Sequence, residues 1–155
     1  MKLAEALSLR GDATRRVEQL RTRIVSNARF QEGEEPTEDA AVLLTEAREV
    51  LDELEDLIRR INRTNAATRI EPEGTITDAL ARRDVLRIRH SVITAAADAA
   101  AGRGQGMGRQ LRSELKMLTA LPVAQLRSQA DDLARQIREI DVSIQQSNWQ
   151  FDLLE

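Results

Sequence analysis

The sequence VAQLRSQADDLARQIREIDVSI, residues 123–144, decides the fold class. Its apolar residues follow at alternating intervals of three and four positions: Val123, Leu126, Ala130, Leu133, Ile137, Ile140 and Ile144. This spacing is typical of one face of a long α-helix that packs against other helices. A second run repeats it: Ala40, Leu44, Ala47, Leu51, Leu54, Ile58 and Ile61. The sequence therefore predicts an all-α protein, an antiparallel bundle of about four long helices with heptad patterning.

Composition narrows the class of protein further. A length of 155 residues suits one domain covering residues 1–155. The chain contains no cysteine, which excludes disulfides and thiol catalysis and is consistent with a reducing cytosol. It also has no signal-peptide pattern and no apolar run long enough to span a membrane. Net charge of −3 argues against a protein that coats nucleic acid. We expect a soluble cytoplasmic protein.

Helix boundaries follow from capping and breaking residues. The first helix is predicted over residues 2–30, weakened or ended at Gly11 and at the stretch 31–36. The second begins after Pro36, with Thr37 as its N-cap, and ends at about Asn65.

Two further helices follow in the second half of the chain. Residues 75–78 (TITD) resemble a capping box and predict the start of the third helix, which runs to about Ala101. Pro122 suits the first turn of the fourth, which continues to about Gln150. Between them, the glycine-rich residues 102–108 predict a flexible loop. Residues 111–117 fit a short extended segment or a helical turn equally well.

Charge is unevenly distributed along the first two helices. Residues 31–57 carry eleven acidic side chains and one base, Arg48, whereas residues 10–29 carry six arginines against Asp12 and Glu18. The simpler interpretation is that acidic and basic helix faces meet within the bundle or between subunits. The alternative is an acidic patch that docks a basic partner.

Most catalytic templates are absent from the sequence. His90 is the single histidine, so neither paired Glu-x-x-His motifs nor His/Cys zinc sites are possible. Met107 occupies the third glycine position of a G-x-G-x-x-G motif read from Gly102, which argues against a phosphate-binding loop. The sequence therefore predicts no catalytic residues, no metal and no cofactor, and it favours a protein that is not an enzyme.

The third helix carries a wide apolar arc on a helical wheel, formed by Val85, Leu86, Ile88, Val92, Ile93, Ala96 and Ala99. Arg82 and Arg89 fall inside this arc, and His90 lies at its edge. A buried arginine needs an acidic or carbonyl partner, so we predict that Arg89 is substantially buried and paired with a carboxylate such as Asp141. The alternative is a snorkelling side chain with its guanidinium exposed at the edge of the bundle.

Together with asparagines beside the other seams, these residues form a predicted polar cluster: Arg82, Arg89, His90, Asn62, Asn65, Asp141 and Asn148. The cluster is either a structural network that fixes helix register or oligomeric state, or a site for a small anion or other ligand. Nucleic-acid binding is not favoured, because the basic residues 82–90 lack interleaved aromatic residues.

Several segments resemble a family of small bacterial helical proteins that often carry the label septicolysin. The similarity rests on residues 121–133 (LPVAQLRSQADDL), 138–141 (REID) and 144–149 (IQQSNW), with 83–86 (RDVL) and 112–116 (RSELK). Pro122 and Met117 depart from the pattern, where a small or acidic residue and an aromatic are usual. The resemblance implies an all-helical fold and carries over no catalytic residues.

The long seams predict a protein that works by association. Helices of about 37 Å leave apolar surface uncovered at their ends unless another subunit covers it. We therefore predict a structural or interaction protein that forms homo-oligomers, most simply a dimer. The alternative is a ligand- or anion-binding module that uses the polar cluster; an unrecognised enzyme and a membrane-active toxin are weaker alternatives.

Overall fold

The computed structural model describes residues 1–103 and 115–155. Within them lie four α-helices: α1 (Leu3–Asn27), α2 (Ala40–Ala67), α3 (Ile76–Ala100) and α4 (Val123–Gln150). A small two-stranded sheet of β1 (Arg69–Ile70) and β2 (Gly74–Thr75) joins α2 to α3. The prediction of an all-α fold with about four long helices is confirmed. The predicted glycine-rich loop and the segment 111–117 fall mostly outside the described residues.

The described chain divides into two compact units. The α1–α2 unit comprises Met1–Arg69 and Gln145–Glu155, and the α3–α4 unit comprises Ile70–Ile144. Helix α4 contributes its residues up to Ile144 to the second unit and its last turns to the first. The expectation of one domain over residues 1–155 stays a prediction.

In the α1–α2 unit, the two helices pack antiparallel. Arg16 pairs with Glu46 and Arg23 with Glu38, so partners fall in number along α2 as they rise along α1. This agrees with the interpretation that the acidic and basic faces meet. The buried apolar side chains of these two helices are Leu3, Ala6, Leu20, Leu43 and Ile61.

The predicted seam of α2 is wrong for about half of its members. Leu44, Leu51 and Ile58 are exposed, whereas Leu43 and Ile61 are buried. The helix buries the neighbouring row of residues instead. Large aliphatic residues occupy both rows, so the sequence pattern does not distinguish them.

The turn from α1 to α2 is organised by side chains. Asn27 donates from Nδ2 to the carbonyl of Arg23 and accepts from the backbone N–H of Glu38 through Oδ1 (3.0 Å), which fixes the end of α1. The N-cap of α2 is Asp39 and not Thr37, since its carboxylate accepts from the N–H groups at positions 41 and 42. Gly11 does not interrupt α1.

The two ends of the chain are paired within the α1–α2 unit. Lys2 and Asp152 form an antiparallel bridge, and the N–H of Leu3 donates to the carbonyl of Phe151 at 3.0 Å. The Lys2 ammonium donates to the Asp152 carboxylate and lowers the pKa of Asp152. Thr64, fully buried on α2, accepts from the N–H of Leu154. The last residues are therefore anchored on the first two helices.

The α3–α4 unit also contains an antiparallel helix pair. Arg87 pairs with Asp141 and Asp98 with Arg127, so partner numbers fall along α4 as they rise along α3. The predicted α4 seam is confirmed: Leu126, Ala130, Leu133, Ile140 and Ile144 are buried, and Val123 and Ile137 are half-buried. Thr75 and Asp78 form the predicted capping box at the start of α3.

Candidate interaction surface

Helix α3 turns a regular row of residues inward. We call this row the inner seam; its members recur at three- and four-residue intervals and are Ile76, Ala79, Arg83, Leu86, His90, Ile93, Ala97 and Ala100. Four of them are buried (Ile76, Ala79, Leu86 and Ala97), and the other four are half-buried. The inner seam is the heptad face that α3 contributes to the core of its unit.

A second apolar row follows the opposite face of α3. We call it the outer seam; it has the same alternating spacing and comprises Ala81, Val85, Ile88, Val92, Ala95 and Ala99. Each member lies two positions after a member of the inner seam, which is about 200° around the helix. All six are exposed, with Val85 at 52%, Ile88 at 65% and Val92 at 61%. Helix α3 is therefore apolar on both faces, as in helices buried on both sides.

The exposed apolar row on α2 is less continuous than the outer seam of α3. Leu44, Leu51 and Ile58 recur every seven residues, but Ala47 and Leu54, which complete the heptad spacing, are half-buried. The exposed part of this row is therefore a line of single residues seven positions apart, which is narrower than a heptad seam. The outer seam has no charged member over about 27 Å of helix.

An apolar groove continues the outer seam at the end of α3. It has a volume of about 490 Å³ and is lined by Ala96 and Ala99 from α3 and by Met117, Leu118 and Leu121 from the segment before α4. Met117 and Leu118 are among the most exposed apolar side chains of the chain. The exposed apolar surface thus extends beyond the helix itself.

The prediction that Arg89 is buried and paired with Asp141 is wrong. Arg89 is exposed on α3, and it makes no ion pair within residues 1–103 and 115–155. Asp141 instead accepts from Arg87 at 2.9 Å and lies 3.8 Å from the Arg83 guanidinium. The face of α3 that meets α4 lies to one side of the predicted arc, so Arg87 and Arg83 reach the carboxylate in place of Arg89.

Arg82 lies beside a polar cavity of about 320 Å³. Its guanidinium donates to both oxygens of Glu73 at 2.7 and 2.6 Å, and Glu71 and Glu139 also line the cavity. Three carboxylates surround one arginine that is already paired. The electrostatics of this cavity therefore do not suit an anion.

The remaining predicted site residues are divided between the two units. His90 lies half-buried in the inner seam, while Asn62, Asn65 and Asn148 belong to the α1–α2 unit, where Asn148 is buried and Asn62 is exposed. Among the described residues, no hydrogen bond or ion pair joins any two of Arg82, Arg89, His90 and Asp141. The sequence pattern did not reveal the outer seam, because four of its members (Val85, Ile88, Val92 and Ala99) were assigned to the core.

Within the residues that the structure describes, no group of three or more His, Cys, Asp or Glu side chains has an arrangement that could hold a metal ion. None of the helices in that part of the chain is sufficiently long and apolar to cross a membrane. The exposed face of α3 is therefore the candidate site that stands out by its geometry.

Comparison with known proteins identifies a family and a similar solved structure, but neither has a known activity. The model of a family of unknown function (DUF6847) matches residues 10–153. A crystal structure of a functionally unknown conserved protein from Corynebacterium diphtheriae is similar, with 38% sequence identity, 99% coverage of both chains and a TM-score of 0.89. No curated protein matches the chain. Neither description carries the septicolysin label, so the resemblance to that labelled group is not supported.

Proposed function

The chain belongs to the DUF6847 family, whose function is unknown, and we propose that it is a non-enzymatic cytoplasmic interaction protein that self-associates. The observation that carries this proposal is the outer seam of α3, an uninterrupted heptad row of exposed apolar residues opposite the face that packs in the core. Exposed apolar surface of this regularity marks interaction sites on soluble proteins.

The pairing of polar and charged side chains supports a structural role for them. Within the described residues, every buried side-chain nitrogen and oxygen has a hydrogen-bond partner. Arg82, Arg83 and Arg87 all have acidic partners on their own chain. Ion pairs of this kind stabilise helix packing and engage these three arginines within the chain.

The proposal is tested by placing a charge in the seam. Val92→Arg puts a guanidinium at the centre of the outer seam, and Val142→Arg is a matched control on α4, since Val142 is exposed to a similar extent, 55%. We expect the wild type and Val142→Arg to be dimers by sedimentation equilibrium, and Val92→Arg to be a monomer with unchanged helix content by circular dichroism. A monomeric wild type at high micromolar concentration, or dimerisation unaffected by Val92→Arg, would refute the proposal.

A further inference from the structure

We infer that two copies of the chain pair with their α3 helices parallel, and that Asp84 of each copy bonds Arg89 of the other. This inference rests on the proposed self-association and adds its orientation and its polar contact. It commits the outer seam to one occupant, the same seam of a second copy.

The spacing of the outer seam assigns heptad positions to its neighbours. Val85, Val92 and Ala99 occupy a positions, and Ala81, Ile88 and Ala95 occupy d positions. The residues before each a position are then g, and those after each d position are e. Charged e residues are basic, Arg82 and Arg89, whereas charged g residues are acidic, Asp84 and Asp98.

This charge pattern distinguishes the two orientations. In a parallel pair, each g residue faces the e residue five positions later on the partner helix, and such pairs set orientation. Asp84 and Arg89 are five positions apart and opposite in charge. In an antiparallel pair, e residues face e residues and g residues face g residues, which opposes arginine to arginine and aspartate to aspartate. Charge complementarity therefore favours the parallel pair.

The two side chains are available for this contact. Arg89 is exposed and makes no ion pair within the part of the chain that the structure describes. Asp84 accepts twice from the adjacent Arg83, but both contacts reach Oδ1, and its side chain is 60% exposed. By contrast, Arg82 is held by Glu73 and Asp98 by Arg127. The charges left for a second copy are thus one acid and one base in the correct register.

The apolar members fit close approach of two helices. Valine occupies both a positions in the middle of the seam, and β-branched residues at a favour two-stranded pairs. Alanine at positions 81, 95 and 99 lets the backbones approach closely. The exposed groove beside Ala99 continues this apolar surface at the end of α3.

Orientation can be measured by cross-linking because the natural chain has no cysteine. We would introduce Val85→Cys and Ala95→Cys singly and oxidise each variant under mild conditions, with Val142→Cys as a control outside the seam. In the parallel pair, each seam cysteine faces the same cysteine of the second copy, within the Cα separation of about 4.4–6.8 Å that a disulfide needs. We expect covalent dimers from each seam variant alone. In a fully overlapping antiparallel pair, position 85 faces position 95, so a disulfide would form when the two variants are mixed.

The polar contact is tested by charge exchange. Asp84→Arg and Arg89→Asp each replace two attractive contacts of the dimer by two repulsive ones, and we expect each to raise the dissociation constant roughly tenfold or more. Mixing these two variants restores attraction across the interface, so a heterodimer should form with near wild-type affinity. Arg138→Asp on α4 is the control, since Arg138 is exposed outside the seam.

The outcomes separate this inference from the proposed function. A wild-type monomer overturns both. A wild-type dimer that cross-links between positions 85 and 95 upholds self-association and refutes the parallel orientation. A dimer that cross-links in parallel but is insensitive to charge exchange refutes the Asp84–Arg89 contact. Self-cross-linking of both seam variants together with rescue in the mixture supports the inference in full.

Discussion

The same substitution should reduce the free energy of unfolding by very different amounts on the buried face of α4 and on the outer seam of α3. Ile140 on α4 is 4% exposed, and Ile88 on the outer seam of α3 is 65% exposed. Replacing either by alanine removes the same three carbon atoms from a mid-helix position. The pair therefore isolates the contribution of burial.

The magnitudes follow from the exposed fractions. Removing three buried carbons costs about 2.5 kcal/mol at about 0.8 kcal/mol for each, and the cavity left behind brings Ile140→Ala to about 2–5 kcal/mol. For Ile88→Ala only about a third of that surface is buried, which gives about 0.8 kcal/mol. Alanine also has the higher helix propensity, by a few tenths of a kcal/mol. We expect a net loss near 0.5 kcal/mol for the separated chain.

The assay is urea denaturation followed by circular dichroism. The midpoint and the m value are fitted for each variant. A shifted midpoint at unchanged m reports a change in stability, and a changed m value reports a change in the surface exposed on unfolding. The melts are run well below the dissociation constant of the proposed dimer and again well above it. We expect the free energy of unfolding of wild type to rise at high concentration by mass action, and its difference from that of Ile88→Ala to widen.

Equal destabilisation of the separated chain by the two variants would refute the assignment of faces. That result would mean that Ile88 is covered within a single chain and that the outer seam is part of its own core. If the difference in free energy of unfolding between wild type and Ile88→Ala does not depend on protein concentration, Ile88 takes no part in association.

Two further predictions concern the α1–α2 unit. Thr64→Val keeps the shape of a fully buried side chain but removes the oxygen that accepts from the N–H of Leu154, and should cost about 1–3 kcal/mol in urea melts; an unchanged midpoint would show that the C-terminal contact contributes nothing. Hydrogen bonds from Arg23 lower the pKa of Glu38, so the folded state binds this proton more weakly than the unfolded state. This stabilisation is present above the ordinary glutamate pKa of roughly 4.3 and is lost as pH falls through the lower folded value. In Arg23→Met, NMR titration should show the pKa of Glu38 returning toward its ordinary value, and no change would contradict the pairing.

The sequence was sufficient where one face of a helix carries nearly all the large apolar residues. In α4 the run from Val123 to Ile144 has no competing row, and the structure buries its members or half-buries them. The capping box of Thr75 and Asp78 was equally clear, because side chains three positions apart satisfy each other's backbone donors. Local chemistry of this kind needs no knowledge of the rest of the chain.

The sequence was insufficient where two rows compete. Helix α3 carries apolar residues on opposite faces, so the wheel gave one broad arc that lies between them and includes members of both. The burial of Leu86 and Ala97 depends on contacts in three dimensions, and so does the choice between them and Ile88 or Ala99. A search for two separate heptads within α3 would have found both seams, but not which one faces inward.

The inner and outer seams of α3 are offset from each other by two residues. Moving from the outer to the inner seam exchanges Val85 for Arg83 and Val92 for His90, so polar residues enter the half-buried row while valines leave it. Arg87, in place of Arg89, pairs with Asp141. Because the more apolar row of α3 faces outward, the separated chain lacks the stabilisation that burial of Val85, Ile88 and Val92 would give. A second copy that covered that row would recover this burial, which is a further reason for the proposed self-association.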